Sequence, residues 1–189
     1  MNTDKQLPKQ YRLIAADLSL KRPGFCEMLV DKTDGKCEIK SISLYSVDNK
    51  SKTKPVGQIL HEIADVFRSI MLKNQDMPTF YVREKSVNNY GFAARGGAIA
   101  RAAISEVVGI IDYEAWKEHK EFDEIYPVTI KKTIAGSGKA DKTQVANALK
   151  KYVGNLSYKN DDESDATAVA VAFLIINGEL KPKEAEENE

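Results

Sequence analysis

Acidic residues cluster at the start of the most apolar helical stretch of the chain, NDDESDATAVAVAFLII at 160–176. Asp162 and Asp165 are three residues apart, so on a helix they lie on one face, in register with residues that face the core. One acid in a first helical turn is ordinary, because it caps backbone N–H groups and favours the helix dipole. Two carboxylates beside a core repel each other unless a cation lies between them, so capping and metal ligation both remain open here.

Two further acids end apolar rows on predicted strands. In LIAADLSL, strand alternation places Asp17 on the face that carries Leu13 and Ala15. In TFYVREKS, it places Glu84 on the face that carries Val82. A structural hydrogen bond or salt bridge explains either acid alone. Chance explains less easily that two strands and one helix all place acids on the core side, and this pattern favours a shared site.

The glycine-rich stretch AGSGKADK does not fit a nucleotide-binding motif. A P-loop ending at Lys139 requires Gly at position 133 and Ser or Thr at 140, where the chain has Thr133 and Ala140. A dinucleotide fingerprint that starts at Gly136 requires Gly where Asp141 stands. We interpret the stretch as backbone N–H groups leading into a helix capped by Asp141, an arrangement that binds phosphate without a nucleotide.

The elements that must position these groups follow a mixed α/β order. Three β-rich runs joined by short links predict an antiparallel meander, and the later alternation of helix and strand predicts parallel crossovers. The predicted strands are 11–20, 24–31, 36–45, 79–85 and 124–136. The first predicted helix begins at Pro55, the next two span 88–111 and 141–154, and the last follows Asn160. The expected fold is a mixed five-stranded sheet flanked by helices, in the order β-β-β-α-β-α-β-α-α.

Composition predicts one domain with charged ends. A chain of 189 residues that is 42% hydrophobic can bury one sizeable core. We expect an N-terminal extension at 1–10, the domain at 11–180, and a disordered acidic tail at 181–189. No apolar run reaches the length of a bilayer, and the first ten residues lack a signal-peptide segment, so we expect a cytoplasmic protein without a membrane partner. Cys26 and Cys37 are not expected to pair.

The net charge of zero hides an uneven distribution. Residues 184–189 hold four acids, and without them the chain has 28 basic and 24 acidic residues, a formal charge of +4. If four of those acids bind two divalent cations, the charge of the body rises to about +8. A nucleic-acid partner, which the average charge argues against, therefore stays possible.

The order of the acids along the chain is that of RNase H-like nucleases, and within that superfamily the chain resembles the RuvC-type Holliday junction resolvases. Gly24 follows Asp17 by seven positions, as in the first motif of that family, and Glu84 precedes the long helix. VTIKKTIAGSGKADKTQVANAL at 128–149 matches the basic-loop segment of the family, and DESDATAVAVA at 162–172 matches its terminal helix. The resemblance covers nearly the whole chain.

The resemblance implies a metal-dependent active site. It implies two Mg²⁺ ions, which Mn²⁺ can replace, about 4 Å apart at a cluster of hard oxygen ligands. It also implies that the acids lead the last helix because the cations and the scissile phosphate lie at its N-terminus. The implied ligands are Asp17, Glu84, Asp162 and Asp165, with Lys142 as a further catalytic residue.

The resemblance also assigns DNA contacts. Residues 131–151 contain six lysines and one acid, and a solvated helix face accounts for the last two lysines. Three residues after its Glu, the bacterial family has an aromatic residue that inserts among bases, where this chain has Val87; Tyr90 or Phe92 are the alternatives. We therefore expect a weaker sequence preference for cleavage. The remaining expected contacts are Lys131, Lys132, Ser137, Lys139 and Lys142.

The small-residue helix has two interpretations. Gly96, Gly97 and Ala100 permit close packing, either within the chain or across a two-fold homodimer, which the resemblance favours. The expected function is resolution of four-way DNA junctions by paired hydrolytic nicks that leave 5′-phosphate and 3′-hydroxyl ends. The alternatives are an RNase H-fold nuclease for forks, flaps or RNA–DNA hybrids, and a protein that binds junctions without cutting. The sequence does not identify a branch-migration motor.

Overall fold

A five-stranded mixed sheet organises the chain. The computed structural model describes residues 7–32, 36–49, 53–86 and 95–181, with the backbone alone for 95–100. The strands are β1 Gln10–Asp17, β2 Gly24–Asp31, β3 Glu38–Ser46, β4 Thr79–Glu84 and β5 Phe122–Ile125; the helices are α1 Val56–Met71, α2 Arg95–Lys117, α3 Pro127–Ala135, α4 Lys142–Val153 and α5 Asp161–Ile176. The sheet order is β3-β2-β1-β4-β5, with β1, β2 and β3 antiparallel and β1, β4 and β5 parallel. The predicted fold class is confirmed.

Two apolar layers cover the two faces of the sheet. Leu13 and Ala15 pack into the layer that contains α3, α4 and α5, whereas Ile14 and Ala16 pack against α1 and α2. Helix α5 is buried continuously from Ala166 to Leu174, as expected for a helix that is apolar all round. The predicted alternation in β1 is therefore confirmed, and Asp17 ends the row that faces α5.

The predicted fifth strand at 124–136 is wrong over most of its length. β5 ends at Ile125, and residues Pro127–Ala135 form α3. Pro127 occupies the first turn of that helix, where its missing N–H costs nothing and its fixed φ is already helical. Ile130 and Ile134, one helical turn apart, are buried. Two of the β-branched residues that suggested a strand thus serve the buried face of a helix, whereas Val128 is exposed.

A buried ion pair fastens α1 to the sheet. Arg12 is fully buried, and its Nε donates to Glu27 Oε1 at 2.8 Å. Its Nη2 donates to the carbonyl oxygen of Ile70 at 2.7 Å, and Nη1 donates to that of Lys73. Glu27 also accepts from Tyr45 Oη at 2.9 Å. The guanidinium therefore links the sheet to carbonyl groups at and just beyond the C-terminal end of α1.

The structure bears on the predictions about the cysteines, membrane helices and domain boundaries to different degrees. Cys26 and Cys37 are both free thiols. Within the described ranges, none of the helices combines the length and apolar character that a membrane crossing requires. Residues 1–6 and 182–189, which contain most of the predicted extension and tail, lie outside the described residues, so the domain boundaries stay predictions.

Candidate active site

Three of the four predicted carboxylates meet at one edge of the sheet. Asp17 and Glu84 are the last residues of β1 and β4, which are parallel neighbours, so both strands end at the same edge. Asp165 comes from the second turn of α5. These three side chains line one cavity of about 290 Å³, and Lys131 and Lys142 line it with them. The structure therefore brings two strands, one helix and two lysines to a common place.

Burial and neighbouring charges destabilise the charged forms of Asp17 and Glu84. Burial raises the pKa of Asp17 to about 7, and the nearby charges of Glu84, Asp165 and Asp162 add to that rise. Burial and the charge of Asp165 also raise the pKa of Glu84, while Lys131 and Lys142 oppose the rise. Asp17 and Glu84, partly buried acids with raised pKa values, therefore gain from any cation that enters the cavity.

Lys142 supplies one cation to the cluster. Its Nζ donates to Asp165 Oδ2 at 2.6 Å, and that hydrogen bond raises the pKa of Lys142. Lys142 is the first residue of α4, and a capping box fixes this helix start: Gln144 N–H donates to Asp141 Oδ1 at 2.8 Å, and Asp141 N–H donates to Gln144 Oε1 at 2.9 Å. The predicted cap at Asp141 is confirmed, and it holds Lys142 beside the acids.

Asp162, the fourth predicted acid, lies outside the cavity lining. Its Oδ2 is buried and has no hydrogen-bond partner among the described residues. Arg22 Nε lies 3.4 Å from that oxygen, within ion-pair distance. Burial raises the pKa of Asp162, and Arg22 and Lys142 oppose the rise. This oxygen thus faces Arg22 as an ion-pair partner but accepts no hydrogen bond from the described residues.

Gly24 allows the first turn of α5 to approach the sheet. It pairs with Asp17 in the antiparallel register of β1 and β2. A Cβ atom on Gly24 would lie 2.1 Å from the carbonyl oxygen of Asp162, far inside van der Waals contact. Only glycine therefore permits the present distance between the end of β1 and the start of α5.

The donor chemistry of the cluster suits a hard divalent cation. Carboxylate oxygens are the ligand type that Mg²⁺ and Mn²⁺ prefer, and among the described residues Asp162 Oδ2 accepts no hydrogen bond that an ion would have to replace. The acids do not converge on a common point, because in the described part of the chain no three His, Cys, Asp or Glu residues lie close enough together to hold a metal ion. Asp17, Glu84 and Asp165 therefore fit such an ion in donor chemistry and in their shared cavity, without forming a closed ligand set.

The other predicted basic residues occupy different surroundings. Lys132 is exposed and does not line the carboxylate cavity. Ser137 and Lys139 line a separate groove between α3 and α4, where Lys139 N–H donates to Ser137 Oγ at 3.3 Å. The structure thus places Lys131 and Lys142 with the acids, and the other three residues farther out.

Several predicted contacts fall outside the described part of the molecule. Val87, Tyr90 and Phe92 lie in the range 87–94, which the structure does not describe. Gly96, Gly97 and Ala100 belong to α2, where the backbone alone is described. Their predicted roles in base contact and dimerisation stay predictions.

Glu163 is an important residue that the sequence analysis missed. It is buried, its Oε1 accepts from Ser46 Oγ at 2.8 Å, and its Oε2 accepts from Lys159 N–H at 2.8 Å. The cap of α5 is Asn160, whose Oδ1 accepts from Glu163 N–H at 3.0 Å. Asn followed three residues later by Glu is a capping-type signal that identifies both. Because Asn160 supplies the side-chain cap, Asp162 and Asp165 are not needed for it.

Comparison with known proteins identifies relatives of this chain. A family model described as crossover junction endodeoxyribonuclease RuvC matches residues 20–173. A protein of that name from Rickettsia bellii (strain OSU 85-389) is 29% identical over 136 residues, which cover 69% of this chain and 81% of the relative. Another from Caldicellulosiruptor saccharolyticus is 24% identical over 176 residues, which cover 93% of this chain and 99% of the relative.

Solved structures share the fold. The T. thermophilus RuvC in complex with Holliday junction substrate matches with a TM-score of 0.67 at 17% identity, over 91% of this chain and 99% of that chain. The yeast mitochondrial Holliday junction resolvase matches with a TM-score of 0.53 at 15% identity, over 94% of this chain and 83% of that chain. The resemblance drawn from the motifs is confirmed, since the family model spans most of the sequence: this chain belongs to the crossover junction endodeoxyribonuclease RuvC family.

Proposed function

We propose that this protein is a divalent-metal-dependent endonuclease that resolves four-way DNA junctions by paired hydrolysis of phosphodiester bonds. Family membership supports the reaction class. The observation that carries the proposal is the meeting of Asp17, Glu84 and Asp165 at one cavity with Lys131 and Lys142. The products are 5′-phosphate and 3′-hydroxyl ends, as the resemblance implies.

The proposed cofactor is Mg²⁺, two ions per active site, with Mn²⁺ as a substitute. Asp17, Glu84, Asp162 and Asp165 would hold the ions, which when bound activate water and stabilise the leaving oxygen at phosphorus. Lys142 neutralises Asp165 and faces the same cavity, so it can donate to a phosphate oxygen there. Gly24 keeps the backbone of Asp162 close to the end of β1.

The proposed DNA surface extends outward from the cavity. Lys131 and Lys142 would contact the phosphate nearest the chemistry. Farther out, the exposed Lys132, Ser137 and Lys139 would contact the backbone of the arms. Tyr90 or Phe92 would contact bases. The excess of basic over acidic residues in the chain without residues 184–189 supports such a surface.

The proposed assembly is a homodimer in the cytoplasm. The small residues of α2, among them Gly96, Gly97 and Ala100, would let two helices pack closely. A four-way junction presents two symmetry-related strands, and a two-fold dimer presents two active sites to them.

A comparison of substrates tests the proposal. The protein is incubated with Mg²⁺ and, separately, a four-way junction, a fork, a flap, a duplex and an RNA–DNA hybrid of matched sequence, and the nicks are mapped. We expect symmetrically placed nicks in opposite strands of the junction and little cutting of the duplex. Faster cutting of forks, flaps or hybrids would replace the proposal with the corresponding nuclease, and binding of the junction without cutting by the intact protein would refute catalysis.

A further inference from the structure

Arg22 is the basic residue that faces Asp162, and the family motifs assign it no role. It lies in the link between β1 and β2, and its Nε is 3.4 Å from Asp162 Oδ2. The Asp162 side chain is 15% exposed, whereas the Arg22 side chain is 40% exposed. The guanidinium therefore lies beside a buried carboxylate oxygen, while the Arg22 side chain as a whole keeps a substantial exposed surface.

The backbone of this link is fixed by hydrogen bonds. Arg22 N–H donates to Ser19 Oγ at 3.0 Å, which closes a turn inside the link. From the segment after β3, Asn49 N–H donates to the carbonyl oxygen of Lys21 at 2.8 Å, and Val47 N–H donates to that of Pro23 at 3.3 Å. The backbone at Arg22 is thus held by three hydrogen bonds that do not involve Asp162.

The electrostatics of the site change when cations and DNA enter it. Without a metal ion, Arg22 forms an ion pair with Asp162, and Lys142 forms one with Asp165. A divalent ion held by Asp162 would neutralise the carboxylate and repel the guanidinium. A guanidinium presents five N–H donors in a fork that matches a phosphate, so a DNA backbone beside the site offers Arg22 a new partner.

We propose that Arg22 exchanges partners: it is the counter-ion of Asp162 in the metal-free protein, and it binds a phosphate of the DNA once the metal ion has bound. This inference rests on the proposed function of the site. Arg22 is a positioning residue in the first state and a substrate contact in the second.

If Arg22 exchanges partners, its removal should strengthen the binding of Mn²⁺ and weaken the binding of the junction. In Arg22→Ala, Mn²⁺ added without DNA should bind about threefold to tenfold more tightly, because a competing positive charge is gone. A four-way junction, measured with Ca²⁺ to suppress turnover, should bind about tenfold more weakly, and the slope of log K against log salt should fall by about 1. Arg22→Lys should keep wild-type affinity for Mn²⁺ and bind the junction with intermediate affinity.

Titration calorimetry with Mn²⁺ and anisotropy with a labelled junction measure these effects, and Lys150→Ala, at the far end of α4, serves as the control for general loss of charge. If Arg22→Ala weakens Mn²⁺ binding, the residue orients Asp162 and the exchange is wrong. If junction affinity and its salt slope change no more than in Lys150→Ala, the phosphate contact is wrong. A wild-type protein that binds Mn²⁺ but no junction would overturn the proposed function and the phosphate contact together.

Discussion

Replacement of Gly24 by alanine should separate the acids without removing any of them. The added Cβ would lie 2.1 Å from the carbonyl oxygen of Asp162, and real Cβ atoms essentially never approach closer than 3.0 Å. The first turn of α5 must therefore move by at least about 0.9 Å relative to the end of β1. A misplacement of about 1 Å in a catalytic arrangement costs on the order of 100-fold in rate.

The fold should survive this change. Overpacking of this kind costs about 1–3 kcal/mol, and in a chain of this size each kcal/mol lowers the Tm by about 2–4 °C. We expect single-turnover cleavage of a four-way junction by Gly24→Ala to fall about 100-fold at saturating protein, with a Tm that is lower by several degrees. Gly57→Ala is the matched control, because a Cβ at Gly57 meets nothing within 4 Å. It should cleave normally.

One result for Gly24→Ala would contradict this prediction. If folded Gly24→Ala cleaves within about threefold of the wild-type rate, then the distance between Asp17 and the start of α5 does not control catalysis, and the close contact at Gly24 has a packing role only.

Three further changes test other parts of the site. Asp165→Asn removes a charge at almost constant volume, so junction cleavage should collapse while binding measured by gel shift persists; near-normal Mg²⁺-dependent cutting would contradict the ligand assignment. Because the pKa of Asp17 is raised to about 7, the metal-free folded protein binds a proton that the unfolded chain has lost, so its stability should fall as pH rises from about 4 to 7, by at most about 1.4 kcal/mol per unit. Mg²⁺ competes with that proton, so thermal denaturation should show a larger increase in Tm on adding Mg²⁺ at pH 8 than at pH 5; equal increases would argue against a metal ion at Asp17. Ala100→Glu should shift sedimentation toward the monomer and let nicked circles accumulate before linear product on a cruciform plasmid; a wild-type monomer that linearises the plasmid directly would refute the dimer.

Local patterns in the sequence were enough to predict which face of its strand or helix most of the candidate acids occupy. Strand alternation predicted that Asp17 and Glu84 face the same side as their apolar neighbours, and the cavity contains both. Helical spacing predicted the orientation of Asp165. These predictions succeed because the periods of strands and helices decide which face a side chain occupies, whatever the rest of the chain does.

Local patterns predicted the wrong element where the residues suit both a strand and a helix. VTIKKTI is rich in β-branched residues like a strand, yet it forms part of α3, because Pro127 starts a helix and because Ile130 and Ile134 are buried on one helical face. Intrinsic preference for a strand is weak, and burial against the neighbouring helices overrides it.

Only the tertiary structure revealed the contacts that hold Asp162 in place. Arg22, Gly24 and Ser46 come from the meander, more than a hundred residues before α5, and they meet Asp162 and Glu163 through an ion pair, a close backbone approach and a hydrogen bond. No periodicity links residues that far apart, since their distance is set by the packing of α5 on the sheet. The sequence determined that Asp17, Glu84 and Asp165 face the core. The packing decided how near the acids lie to one another, which cations pair with them, and that Glu163 is buried.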